Sequence, residues 1–324
     1  TGVQTWCSSD LMTVYSDEGL GKMSRCFHDT IRQHLIRSPY LYKRRPVLIN
    51  NWEATYFDFD MEKLLEIARD AKEVGVDMLV MDDGWFGKRI NEYSSLGDWK
   101  VNLDKLPEGV RGLSKRLKDM DMKLGVWFEP EMISPDSDLY RLHPDWALEI
   151  PGREPAQARN QLVLDMTREE VREYIVESMA KIFSSANISY VKWDMNRIFS
   201  DVFSQTAYPE QMGEVAHRYV LGLYEVMGEL TKRFPKILFE GCAAGGNRFD
   251  LGILCHFPQI WASDNTDALC RCRIQYGTTI VFPPSTMGCH VSAIPNHQTA
   301  RTTPMAARYA VALGGCFGYE IGRA

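Results

Sequence analysis

Lys192-Trp193-Asp194-Met195-Asn196-Arg197 follows directly on the apolar run Ile188-Ser189-Tyr190-Val191. A short β-branched and aromatic run that ends abruptly in Lys, Trp, Asp, Asn and Arg reads as a buried strand delivering a polar cluster to a sheet edge. A single such end is usually a strand followed by a solvated loop. Repetition changes that reading. Comparable apolar runs lie at 46–50, 76–82, 123–129, 189–194, 237–242, 259–264, 285–291 and 315–320, and the segments between them carry helical periodicity. Strands alternating with helices imply parallel pairing through right-handed crossovers. Eight such units predict an α/β fold, a closed (β/α)8 TIM barrel, whose chemistry collects at the C-terminal ends of the strands.

The helices between the runs carry their own signals. Asp60 is placed to cap a helix with Leu64, Ile67, Ala68 and Ala71 on one face and Gly75 as its stop. Thr167 and Glu170 read as a capping-box pair ahead of Val171, Ile175, Met179 and Ile182, and Thr303-Pro304 as the opening of a helix toward Leu313. Val215, Tyr219, Leu223, Val226 and Leu230 mark the longest amphipathic stretch. Residues 1–44 lack the alternation and hold one helix around Leu20 to Ile36, so they read as a leading segment or linker. Residues 45–324 read as the barrel domain. The stretch between Pro130 and Leu162 is long, polar and proline-containing, which predicts an expanded loop after the third strand on the catalytic face.

Composition narrows the function classes. A net charge of -6 argues against a nucleic-acid surface, because phosphate binding draws on clustered Lys and Arg and the one basic cluster, Lys43-Arg44-Arg45, is short. No apolar run approaches the length of a bilayer span, so no membrane partner is expected. Eight cysteines in 324 residues are too sparse for a disulfide scaffold, and several sit inside apolar runs. Cys270 and Cys272 fit neither a zinc ribbon nor a redox pair, so a reducing, cytoplasmic location is expected.

The run ends are rich in acids and tryptophans: Asp82-Asp83-Gly84-Trp85, Trp127-Phe128-Glu129, Lys192-Trp193-Asp194, Glu240-Gly241-Cys242 and Trp261-Ala262-Ser263-Asp264, with Trp52 after the first run. Indole faces stack on the C–H faces of sugars, and carboxylates accept paired hydrogen bonds from vicinal hydroxyls. Converging carboxylates suit glycoside hydrolysis, where one acid attacks the anomeric carbon and another protonates the leaving oxygen. Divalent-metal barrels also gather acids at strand ends but add histidines there. Here His28, His34, His143, His217 and His256 lie elsewhere and His290 alone is near a run end, so neither a metal nor an organic cofactor is expected. Asp194 lies between Lys192 and Arg197, cations that favour the ionised form a nucleophile needs. Asp264 is the candidate proton donor. Asp267 is its rival, although its place before Ala268 suits a helix cap. Asp82 and Asp83 read as substrate-binding groups, with a turn before Gly84 as the plainer alternative.

In these stretches the chain resembles the catalytic barrel of glycoside hydrolase family 36, the α-galactosidases. The likeness is carried by Asn50-Asn51-Trp52-Glu53-Ala54, Met81-Asp82-Asp83-Gly84-Trp85-Phe86, Trp127-Phe128-Glu129-Pro130-Glu131-Met132, Lys192-Trp193-Asp194-Met195-Asn196-Arg197, Phe239-Glu240-Gly241-Cys242, Arg248-Phe249-Asp250-Leu251-Gly252 and Ser263-Asp264-Asn265-Thr266-Asp267. The resemblance implies a retaining hydrolase acting on terminal α-linked galactose of melibiose- and raffinose-type sugars. Asp194 would be the nucleophile and Asp264 the acid/base, their carboxyls about 5 Å apart. Asp82 and Asp83 would grip the axial 4-OH and the 6-OH. Trp52, Trp127, Arg159, Lys192 and Asn196 would line the remaining hydroxyls, with Cys242 and Gly245 beside the 2-OH. Ala243-Ala244-Gly245-Gly246-Asn247 replaces the Ser-Gly-Gly-Gly run of many members, so a methyl at Ala244 is expected to narrow the 2-position. The family's long members have β-domains before and after the barrel, which implies a domain excised from a longer chain and homo-oligomer contacts through regions outside it. Galactosyl transfer to a sugar, as in raffinose synthases, and a non-catalytic sugar-binding barrel are the alternatives.

Overall fold

The computed structural model describes residues 12–321. Eight parallel strands close into a barrel: β1 (Leu48–Asn50), β2 (Met78–Met81), β3 (Lys123–Phe128), β4 (Ile188–Trp193), β5 (Leu238–Gly241), β6 (Gln259–Trp261), β7 (Met287–Ser292) and β8 (Cys316–Glu320). Each pairs with its sequence neighbours, and Leu48 opposite Gly318 closes β1 onto β8. All eight fall on the expected runs. Glycines make room for bulky neighbours inside the barrel. A Cβ on Gly125 would lie 2.9 Å from both Tyr190 and Val80, and one on Gly318 2.7 Å from His290. Tyr190, with no room to spare, donates its hydroxyl to Glu240 Oε1 at 2.5 Å, and Gln259 Nε2 donates to the same carboxyl's Oε2. Glu240 therefore braces the interior.

The outer layer comprises α1 (Gly19–Thr30), α2 (Met61–Glu73), α3 (Gly109–Asp119), α4 (Glu169–Ser185), α5 (Val215–Arg233), α6 (Leu251–His256), α7 (Ala268–Thr279) and α8 (Met305–Ala312). Asp60 caps α2 by accepting the Lys63 N–H at 2.9 Å, and Gly75, at φ +83, ends it as expected. At α4 the expected capping box does not form. The Thr167 hydroxyl donates to Asp165 at 2.6 Å, and the helix starts after Arg168 without a side-chain cap. The buried carboxylate wins Thr167 from the helix end.

Within the leading segment, α1 continues as one wide turn, Ile31–Leu35, that packs against the short α6. His28 Nε2 bonds the Thr279 carbonyl at 2.7 Å, and Ile31 is fully buried. Residues 1–11 of that segment, and 322–324 of the barrel segment, lie outside the described residues. The expansion after β3 is more than a polar loop. Met132–Ile133 pairs antiparallel with Leu162–Val163, a one-turn helix Asp138–Leu142 follows, and Leu139, Trp146, Leu148 and Leu164 are buried beneath them. Among the described residues no helix is long and apolar enough to cross a membrane.

Candidate active site

The strand ends open into one cavity of about 740 Å³ including its mouth. Trp52, Asp82, Asp83, Trp127, Arg159, Lys192, Asn196, Cys242 and the pair Asp194 and Asp264 all line it, whereas Gly245 does not. On a strand, successive side chains alternate in direction. Lys192 and Asp194 therefore face the cavity while Trp193 points outward, buried, and donates Nε1 to Glu131 Oε1 at 2.9 Å. Trp85 is likewise a core residue, its Nε1 on the Trp127 carbonyl. Of the strand-end tryptophans only Trp52, Trp127 and Trp261 line the cavity, the last two almost wholly buried.

Asp194 has three N–H donors on its carboxylate: Trp127 Nε1 at 3.1 Å and Asn196 Nδ2 at 2.6 Å on Oδ2, and Met195 N at 3.0 Å on Oδ1. The expected cationic neighbours bond elsewhere. Lys192 Nζ reaches across the barrel to Asp82 Oδ2 at 3.0 Å, with Glu320 at 3.8 Å, and Arg197 turns away to the Gln161 carbonyl. Neutral N–H groups rather than ion pairs thus hold the carboxylate, leaving it free to change charge without breaking a salt bridge.

Asp264 sits in a different setting. Among the described residues its carboxyl has one hydrogen-bond partner, the Cys242 thiol, with Sγ 3.9 Å from Oδ1. Burial, reinforced by the negative Asp194, pushes its carboxyl up to about 6. The same two causes, burial and then the Asp194 and Asp264 carboxylates, push the Cys242 thiol well up, so it is a neutral wall group and not a nucleophile. Asp267 caps α7 through the Cys270 N–H at 2.9 Å and pairs with Arg301, outside the cavity. Its reading as a helix cap is the one the fold realises.

Asp82 and Asp83 are structured groups rather than a turn. Asp82 Oδ2 accepts from Asn50 Nδ2 as well as from Lys192, and Asp83 takes a two-pronged Arg89 guanidinium, Nε at 3.0 Å and NH2 at 2.8 Å. Burial alone would lower the Lys192 ammonium, but Asp82 and Glu320 outweigh it and hold it well above its usual value. Burial also raises the Asp83 carboxyl against the pull of Arg89. Arg159 stands at the rim, paired with Glu92 at 3.1 Å.

Gly245 acts from behind the wall. At φ +81, a Cβ there would come within 2.6 Å of the Asp264 N and 2.7 Å of the Ser263 Cα. Gly245→Ala is therefore expected to displace the Asp264 backbone and to lower turnover by roughly 10- to 100-fold, the cost of a misplacement of about 1 Å. Turnover within about 2-fold of the parent would show that the backbone absorbs the methyl. Ala244 also departs from the role expected for it. It is exposed at φ +44 and its side chain lines a neighbouring apolar cleft with Phe199 and Tyr219, so it does not narrow this cavity.

Several lining groups were not singled out from sequence. Trp261 and Glu320 stand at strand ends, and the strand-end rule contains them. Arg89, Glu92, Gln161, His297 and Gln298 lie on loops with no spacing signal. His297 reaches the site on the loop after β7, 3.1 Å from Glu53, itself the residue after Trp52. Burial and the nearby Glu320 raise the Glu53 carboxyl, while Lys192 overcomes burial to pull Glu320 down.

Residues 5–324 match the family model described as Melibiase. The α-galactosidase AgaA of Geobacillus stearothermophilus is 52% identical over 318 residues, which are 98% of this chain and 44% of that protein. Mel36A of Lactobacillus acidophilus is also 52% identical, over 96% of this chain and 43% of its own length. The crystal structure of the Geobacillus stearothermophilus family 36 α-galactosidase AgaA superposes with a TM-score of 0.94 at 54% identity, covering 95% of this chain and 43% of that one. The chain spans less than half the length of the curated relatives it matches. With a family model matched along nearly its whole length and a barrel that superposes on family 36 enzymes, the chain belongs to the Melibiase family.

Proposed function

We propose that residues 45–324 are the catalytic barrel of a retaining α-galactosidase that removes terminal α-linked galactose from melibiose- and raffinose-type oligosaccharides, with residues 1–44 leading into it. One observation carries the reading. Two carboxyls face one cavity in unlike settings, Asp194 held by three N–H donors and Asp264 raised to about 6 by burial and by Asp194. Such a divergence separates an attacking group from a proton donor. Doubly substituted variants of the AgaA enzyme of Geobacillus stearothermophilus have been crystallised with raffinose and with stachyose, which supports the substrate class.

In the first step an Asp194 oxygen attacks the anomeric carbon as the glycosidic C–O bond breaks, and the Asp264 proton goes to the departing oxygen. In the second, Asp264, now a carboxylate, takes a proton from water as that water displaces Asp194 and regenerates both groups. Asp82 and Asp83 hold the axial 4-OH and the 6-OH that define galactose, Lys192 serves one of the remaining hydroxyls, and Trp52 and Trp127 offer apolar faces. The scheme needs neither metal nor organic cofactor. The seven described cysteines are all unpaired, which supports a reducing, cytoplasmic location.

The test is the anomer first released from an aryl α-galactoside, followed by proton NMR in the intact protein. α-Galactose first is expected, and β-galactose first would overturn retention. Galactose binding without cleavage would return the barrel to a sugar-binding module. A galactosylated sugar as main product at moderate acceptor concentration would instead identify a transferase. Asp82→Ala should lower kcat/KM on galactosides by about 10- to 100-fold, matching the loss of one charge-assisted hydrogen bond of about 1.5–3 kcal/mol. Unchanged kcat/KM would reduce Asp82 to a strut for Lys192.

A further inference from the structure

The end of β3 carries a carboxyl that this reaction does not use. Glu129 is buried, 1% exposed, and lines the cavity. Its Oε1 accepts two hydrogen bonds, from the Asn196 backbone N–H at 2.5 Å and from Gln161 Nε2 at 3.0 Å. Asn196 in turn donates Nδ2 to Asp194 Oδ2 at 2.6 Å, and the peptide just before it brings the Met195 N–H to Asp194 Oδ1 at 3.0 Å. Gln161 closes the circuit, since its carbonyl accepts from Arg197 NH1 at 2.7 Å. One carboxyl oxygen thus ties together the end of β3, the expansion after it and the segment after β4.

From this geometry we propose that Glu129 is a positioning residue for Asp194, fixing the backbone at Asn196 and with it two of the three N–H donors that aim the attacking carboxylate. The inference rests on the role given to Asp194 above. Glu129 does this as a neutral acid. Its Oε2 has no hydrogen-bond partner among the described residues, and the groups facing it are Asp194 from the end of β4, Arg89 from the loop after β2, and Arg159 and Gln161 from the expansion after β3. Burial, and then the Asp194 charge, push its carboxyl up against the opposing Asn196 N–H and the two arginines. A neutral acid keeps Oε1 as an acceptor and sets no second anion beside the nucleophile.

Three substitutions separate positioning from space-filling. Glu129→Gln retains an acceptor oxygen and neutrality, and kcat on an activated aryl α-galactoside should stay within about 3-fold of the parent. Glu129→Leu fills the space without an acceptor, and Glu129→Ala empties it. Both should lose roughly 100-fold in kcat with KM little changed, as expected for a misaimed attacking group. Full activity in Glu129→Leu, or a Glu129→Gln as damaged as Glu129→Ala, would overturn the proposal. Crystal structures of the Gln and Leu variants give a readout independent of turnover: the bond from Asn196 Nδ2 to Asp194 should persist in the first and be lost in the second. If it persists in both, positioning by Glu129 is wrong even for an active enzyme. If the parent cleaves no α-galactoside, the proposed function fails while the same structures still judge the positioning role.

Discussion

Replacing Asp194 by glycine is expected to abolish turnover of α-galactosides by roughly 10,000-fold or more, because the group that forms the covalent intermediate is gone. Glycine also leaves a space on the face from which Asp194 attacks. Azide added to this variant should restore cleavage of an activated aryl α-galactoside and give β-galactosyl azide, the product of one displacement in place of two. The distinguishing result is the configuration of that azide. An α-azide, or a variant that stays active without azide, would remove Asp194 from the nucleophile role. The three N–H donors around it, from Trp127, Met195 and Asn196, then have no acceptor, so a modest fall in stability is expected alongside the catalytic loss.

The second large effect belongs to Asp264. Its alanine variant should lose about 100- to 10,000-fold on raffinose-type sugars, whose leaving oxygen needs a proton, and much less on dinitrophenyl α-galactoside at the bond-breaking step, whose leaving group does not. An equal loss on both would place Asp264 outside acid catalysis. The pH dependence has a definite sign. Asp264 must be protonated for the first step, and burial with the Asp194 charge raises its carboxyl to about 6. kcat/KM for natural sugars should therefore be sustained below that pH and fall as pH rises through it. In Asp264→Ala that limb should vanish. If the limb stays, another group owns it, and Glu53, raised by burial and by Glu320, is the first to examine.

Much of this architecture was legible because the barrel imposes a repeating constraint. Each run is mostly apolar along its length and turns polar at or just beyond its C-terminal end, so the eight runs and most of the cavity wall could be read in sequence. Where side chains cross the barrel, sequence spacing misleads. Lys192 is two residues from Asp194, yet its long side chain bonds Asp82 on a distant strand, and Arg197 serves the loop containing Gln161. Alternation also explains why Trp193, between two cavity residues, is core. Loop groups such as Arg89 and His297 were invisible because closure of the barrel, not local pattern, brings them in. Thr167 shows the same limit on a smaller scale: a good capping residue was claimed by a buried aspartate that only the tertiary fold supplies.

The ammonium of Lys192 lies between Asp82 at the end of β2 and Glu320 at the end of β8, 3.0 and 3.8 Å away. The site thus draws on the second and the last strands of the ring together. Until the last strand emerges and docks, a buried cation lacks one of its two counter-ions, and the sugar-gripping edge is unfinished. Under the role proposed for Lys192, the sugar-binding edge is complete only when β8 has closed the ring against β1, the pairing of greatest sequence separation in the barrel.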